Sequence, residues 1–177
     1  RGLEMLSIMI GAGGNATAAA QYAAEAASLK SQMVKQMWNG SNFCDGPCAA
    51  VGGNSLLMTN IFMLAFGLVP PANVNNAWQI VADWGMENMG DYGAFWYQLA
   101  LSSGYYAGFT PYATPDDGTA LYTALTKCDF SSWCSELLWN NETMTRESWH
   151  AGTYSHEWGT SAIVGVTVGL MGVHQTS

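Results

Sequence analysis

Asn54-Ser-Leu-Leu-Met-Thr-Asn-Ile-Phe-Met-Leu-Ala-Phe-Gly-Leu-Val-Pro70 is the stretch that decides the fold class. Apolar side chains from Leu56 to Phe66 surround almost the whole of the helix they would form, and a helix that is apolar all round is a buried one. Asn54 or Ser55 supplies a cap at its start, and Gly67 with Pro70 ends it. A buried helix needs other elements around it, and the flanking sequence offers mostly more helices.

On the N-terminal side, Gly2 to Gly11 reads as a short apolar helix closed by Gly11. Asn15 to Trp38 is the strongest helical signal, rich in Ala, Gln, Glu, Lys and Met with no Pro or Gly inside. Its Glu25 precedes Lys30 and Lys35, which suits the helix dipole. Trp38 to Gly53 is a Gly- and Asn-rich loop. On the C-terminal side, Pro70-Pro71 opens a helix with Val74, Trp78, Val81 and Trp84 on one face. Gly90-Asp91 is expected to be a turn, followed by a helix from Tyr92 to Ser103. Thr114-Pro115-Asp116-Asp117 caps a helix reaching Lys127, and Ser131 to Trp139 forms a short one. Asn140 to Tyr154 is polar and locally alternating, hence irregular or strand-like, and Ser155 to Val173 returns to helix. The expectation is an all-α chain of about seven helices, joined as hairpins by short connections.

Composition narrows the function. Charged residues make up only 10% of the chain against roughly 25% in an ordinary soluble domain, and the net charge is -8. With thirteen acids and five bases, no basic patch exists to meet a nucleic acid or an anionic membrane. The run Ala162 to Val173 is too short to span a bilayer. The four cysteines fall into two close pairs, Cys44 with Cys48 and Cys128 with Cys134. They do not form a zinc-binding Cys-x-x-Cys array, so two short-loop disulfides are expected, with free buried thiols as the alternative. Asn15, Asn39 and Asn141 each begin an Asn-x-Ser/Thr glycosylation sequon. Sequons together with paired cysteines point to the secretory pathway and an extracellular destination. The chain opens Arg1-Gly2-Leu3 without an initiator Met or a leader. It is therefore expected to begin inside a longer precursor or to be a processed subunit.

The segment Glu142-Thr-Met-Thr-Arg-Glu-Ser-Trp-His150 gathers what a sugar site uses. Glu147 offers a carboxylate to activate water, Trp149 a flat apolar wall, and Arg146 and His150 hydrogen-bonding groups. The plainer reading is a solvated loop acid paired with Arg146. His156, in Thr153-Tyr-Ser-His-Glu-Trp-Gly-Thr160, is a candidate for binding a sugar hydroxyl, or else a helix-start histidine satisfied by backbone. Three histidines without ligand spacing argue against a metal site, and no motif calls for a cofactor. No Gly-x-Ser-x-Gly elbow supports a serine hydrolase.

Several of these segments, in order, resemble α-L-rhamnosidases (glycoside hydrolase family 78). The resemblance begins with Asn54–Pro70 and continues through Asp91-Tyr-Gly-Ala-Phe-Trp-Tyr-Gln-Leu-Ala-Leu-Ser-Ser-Gly-Tyr105 and Ser131-Ser-Trp133. It runs on through Thr143-Met-Thr-Arg-Glu-Ser-Trp149, Ser155-His-Glu-Trp158 and the closing segment from Thr160 to Val173. It implies that residues 1–177 form a single partial domain, the C-terminal half of an (α/α)6 barrel of six helical hairpins. The activity implied is inverting hydrolysis of terminal α-L-rhamnosyl bonds. Glu147 would be the general base, His156 and Trp149 would contact the sugar, and Trp38 would help to wall it. Two departures stand out. Arg146 replaces the family's usual aromatic before the base, and no segment matches the family's general acid. The implied partners are a carbohydrate substrate and the N-terminal part of the enzyme, in the same polypeptide or as a processed second chain. The alternatives are a non-catalytic secreted glycoprotein on the same fold and a six-hairpin glycosidase for another sugar.

Overall fold

A computed structural model of the chain describes residues 1–53, 57–101, 117–149, 151–154, 157–171 and 173. It is mostly helical, with one two-stranded sheet among the described residues. The chain divides into two compact units, Arg1–Ser55 and Leu56–Ser177.

The first unit is a helical hairpin followed by a disulfide loop. Helix α1 (Gly2–Ala12) runs through Gly11, where the sequence had suggested a stop, and gives way at Gly13-Gly14. Helix α2 (Ala16–Met37) starts where the Asn15 side chain accepts a hydrogen bond from the Ala18 N–H at 3.0 Å. The two helices touch at Gly11, where a methyl group would lie 3.4 Å from the Ala19 Cβ. The Ser7 hydroxyl donates to the Ala19 carbonyl at 2.7 Å across the same contact. Beyond α2, Trp38 bridges to Phe43, which is buried, and the Cys44–Cys48 disulfide leads into the short helix α3 (Cys48–Val51). Gly52, at φ 65°, closes α3 in the left-handed conformation.

In the second unit, helix α4 (Leu57–Ala65) buries Asn60, Ile61, Met63, Leu64 and Ala65, so the all-round apolar pattern has its expected outcome. The capping residues proposed at Asn54 and Ser55 lie outside the described residues. A 3₁₀ turn at Pro71–Asn73 feeds helix α5 (Val74–Trp84), whose buried face is Val74, Ala77 and Val81. Trp84, the last residue of α5, is exposed, against expectation. Gly90 and Asp91 are not a free turn. Gly85 (φ 72°) and a 3₁₀ turn at Met86–Asn88 reverse the chain, and helix α6 (Gly90–Leu101) begins at Gly90.

Helix α6 is the centre of this unit. All five residues from Tyr97 to Leu101 are buried, and so is Ala94. It packs against α4, helix α7 (Asp117–Thr126) and the segments that follow. Burying a side chain such as Leu99 stabilises the fold by roughly 1.5–3 kcal/mol, so this helix is a main apolar anchor. Phe62, Phe66 and Trp96 pack ring against ring between α4 and α6, and Trp78 of α5 packs on Tyr97. The Thr114–Asp116 cap of α7 falls outside the described residues.

After α7 come the Cys128–Cys134 disulfide and a π-helical turn at Ser135–Trp139. Both cysteine pairs are thus disulfides and none is free, which removes the buried-thiol alternative. The alternating segment forms an antiparallel hairpin of β1 (Arg146–Ser148) and β2 (Ala151–Tyr154). The closing segment is not one α-helix. It passes from a 3₁₀ turn (Glu157–Ser161) through one α-turn, α8 (Ala162–Val164), to a π-turn (Gly165–Leu170). Its β-branched residues and glycines form regular helix weakly, and Gly159 and Gly165 mark the points where it presses on its neighbours.

Candidate functional site

The hairpin that carries Glu147 is fixed from below by buried polar contacts. The Trp133 indole N–H donates to the Gly159 carbonyl at 2.5 Å. Gly159 itself lies against Thr145: a Cβ there would come within 2.6 Å of the Thr145 Cβ and Oγ1. One step further along, the buried Gln98 of α6 donates through Nε2 to the Ser161 Oγ at 3.2 Å and to the Ala94 carbonyl at 3.1 Å. The hairpin and the segment after it are therefore fastened to the most buried helix of the unit.

On this support, β1 presents its side chains alternately, as a strand must. Arg146 and Ser148 are half-buried and Glu147 between them is exposed. The register slips by one residue between Arg146 and Ser148, so Gly152 and Thr153 of β2 stand opposite Glu147 alone. The bulge thus lies in β2, opposite Glu147, and bulges occur beside active sites. Gly152 adopts φ 81°, and a Cβ there would lie 2.5 Å from the Glu147 Cβ and 2.8 Å from its Oε2. The glutamate thus leans over a position that only glycine leaves open. Among the described residues, none hydrogen-bonds or ion-pairs with Glu147.

The expected pairing of Glu147 with Arg146 does not form. Arg146 instead makes three hydrogen bonds to the carboxylate of Glu142, at 2.6–3.0 Å, and one to the Tyr154 hydroxyl at 2.6 Å. Its guanidinium also stands 4.5 Å from the centre of the Tyr154 ring. The Glu142 side chain is only 7% exposed. The hydrogen bonds Arg146 donates to Glu142 hold its pKa above the ordinary value, so the guanidinium stays charged and locked. This pair was legible as Glu142 and Arg146 four residues apart, but adjacency drew attention to Glu147 instead.

Trp149, just past β1, packs edge-to-face on Trp133 with ring centres 5.2 Å apart, and its indole N–H finds no acceptor among the described residues. Trp38 belongs to the first unit, where it packs on Phe43. His156, like His150 and His174, lies outside the described residues. On the Arg146 side of the hairpin, a cleft of about 810 Å³ is lined by Phe130, Asn141, Thr143, Met144, Arg146 and Tyr154 among others.

Among the described residues, no group of three His, Cys, Asp or Glu could hold a metal ion, and no helix is long and apolar enough to cross a membrane. No protein-family model, curated protein or solved structure matches the chain.

Proposed function

We propose that this chain supplies the general-base part of a secreted, inverting α-L-rhamnosidase-like glycoside hydrolase. In this reading its helical hairpins form the C-terminal half of an (α/α)6 barrel, completed by an N-terminal part that carries the general acid. The observation that carries the proposal is the state of Glu147: exposed, opposite a bulge in β2, and without a partner among the described residues. A general base must be able to reach its water, and a carboxylate already committed to a cation is a poor proton acceptor. Arg146, the departure from the family pattern, faces the other side of the strand and is occupied by Glu142. Its charge is therefore compatible with a basic Glu147.

Glu147 would take a proton from a water molecule whose oxygen attacks the anomeric carbon. The bond to the aglycone oxygen breaks on the opposite face, where a carboxylic acid protonates the leaving oxygen. Inversion sets the two carboxyl groups roughly 6.5–9.5 Å apart. Glu142 is bound to Arg146 and is unsuited to the acid's role, so the acid is assigned to the N-terminal part. Trp149 would wall the sugar beside the base, with His156 as a hydrogen-bonding partner. Two disulfides fit an oxidising, extracellular setting.

The test is to purify the native protein under non-reducing conditions, measure intact masses, and assay p-nitrophenyl α-L-rhamnoside. The isolated chain should be inactive. The completed barrel should turn over, and Glu147→Gln should lower kcat by about 10²–10⁴-fold. Turnover by the isolated chain, or an unaffected Glu147→Gln enzyme, would overturn the assignment. A stoichiometric complex inert on every rhamnoside would favour a hydrolase for another sugar or a non-catalytic carbohydrate-binding glycoprotein.

A further inference from the structure

The cleft on the Arg146 side of the hairpin contains a glycosylation sequon in its own wall. Asn141 and Thr143, the first and third residues of Asn141-Glu-Thr, both line it. Asn141 is exposed and holds φ 53°, the one non-glycine residue with positive φ among those described. Asparagine tolerates that conformation better than most residues.

The three sequons differ in how their asparagines are engaged. Asn15 uses its side-chain oxygen to cap α2. Asn39 uses both ends of its amide in a turn, with Nδ2 donating to Asn42 and Oδ1 accepting from Ser41 and Asn42. Asn141's side chain has no hydrogen-bond partner among the described residues.

The walls beside it include exposed apolar side chains: Phe130 is 70% exposed, Tyr154 53% and Met144 51%. Arg146, a cation in the wall, is neutralised by Glu142, so the cleft presents a neutral surface. That suits an uncharged sugar better than an anion. The electron-rich face of an aromatic ring attracts the C–H edges of a pyranose as it attracts the positive edge of another ring. So shallow a site would hold a free sugar weakly. A sugar tethered at its rim is present at an effective concentration in the millimolar range, and weak contacts then suffice.

We propose that Asn141 carries an N-linked glycan whose first N-acetylhexosamine ring is seated in this cleft against Phe130. The linking step joins Asn141 Nδ2 to the anomeric carbon of a polyprenyl-diphosphate oligosaccharide. It breaks that carbon's bond to the diphosphate and releases the lipid diphosphate and the proton lost from the amide. The inference needs passage through the secretory pathway but not the hydrolase activity. Strand alternation sets Glu147 on the other face of β1 from Arg146 and the cleft, so a seated glycan leaves Glu147 uncovered.

The experiment expresses the full chain in a secreting eukaryotic host as wild type, Thr143→Ser, Thr143→Ala and Asn141→Gln, each with and without Phe130→Ala. Glycopeptide mapping should find Asn141 occupied in wild type and Thr143→Ser and bare in the other two. Loss of the glycan should lower Tm by about 2–4 °C, and Phe130→Ala should abolish that difference. Amidase release of the glycan from the native protein should be several-fold slower in wild type than in Phe130→Ala. This last comparison decides the matter if the unglycosylated variants fail to be secreted. An unoccupied Asn141 overturns the proposal, as does an occupied one whose effect on Tm and whose release rate ignore Phe130.

Discussion

Replacing Gly165 by alanine tests how the closing segment is fastened to α6. Gly165 has ordinary helical angles, φ −57° and ψ −43°. By propensity alone, alanine there should stabilise the protein by roughly 0.5–1 kcal/mol. The packing predicts the reverse. An alanine Cβ would lie 2.1 Å from the Gln98 Oε1, 3.0 Å from its Cδ and 3.2 Å from the Leu125 Cδ1. Gln98 is fully buried, so its amide cannot swing into solvent. Either the closing segment lifts away or the amide gives up its bonds to Ser161 and Ala94. Two lost hydrogen bonds cost about 1 kcal/mol each, and overpacking a core adds about 1–3 kcal/mol. After the propensity gain, the net loss is about 2–4 kcal/mol, or roughly 4–16 °C in Tm for a chain of this size. Thermal and denaturant unfolding followed by circular dichroism would measure it. Gln98→Ala removes the obstructing amide, so the double variant should lose clearly less than the two single losses combined. A Gly165→Ala protein as stable as wild type, or more stable, would refute the close approach. Strict additivity with Gln98→Ala would refute Gln98 as its cause.

Two further outcomes follow from the same unit. Replacing Cys128 and Cys134 by serine releases a short loop closed at sequence separation 6. It should cost roughly 2 kcal/mol by loop-closure entropy, read as a lower Tm that reductant does not lower further at this site. Alkaline pH should also destabilise the fold. Burial, and then the nearby Glu87 charge, push the Tyr97 phenol above its ordinary 10.0, while hydrogen bonds from Lys127 to Asp129 and Glu87 raise that amine above 10.5. Both groups hold their protons more tightly folded than unfolded. Their contributions are therefore complete below about pH 10 and are lost as pH rises toward the folded values. Denaturant titrations from pH 9 upward should show the decline, and Tyr97→Phe should flatten it; a slope unchanged in that variant would remove Tyr97 from the account.

Helices whose pattern is strong in isolation were legible in the sequence. Composition alone marks α2, and the unbroken apolar run marks α4. The hairpin was legible as a break in helical periodicity between Asn140 and Tyr154, though not as paired strands. What the sequence hid depends on contacts distant in the chain. Gln98 is a polar residue in an apolar helix, and its meaning comes from Ser161, sixty-three residues later. The Ser135–Trp139 stretch reads as a short helix, but it winds as a π-helix, with Ser135 and Glu136 buried. Residue type and spacing single out Glu147 and Trp149 as candidates in this hairpin. The pairing of Arg146 was misjudged because neighbours in sequence face apart on a strand.

The glycines of the last third make the same point about reading a local signal. Gly152, Gly159 and Gly165 weaken a helical pattern, and by propensity alone they read as a poor helix or a loop. Each instead faces a side chain of the site or its support: Gly152 faces Glu147, Gly159 faces Thr145, and Gly165 faces Gln98. Each approach is closer than any Cβ permits. Gly159 and Gly165 let the closing segment lie directly on β1 and α6, and Gly152 lets β2 lie close under Glu147. What looks like conformational looseness in the sequence is a row of tight contacts, and it sets the position of the one exposed carboxylate between Arg146 and Ser148. If Glu147 is the base, its placement is determined as much by these three missing side chains as by any residue that touches it.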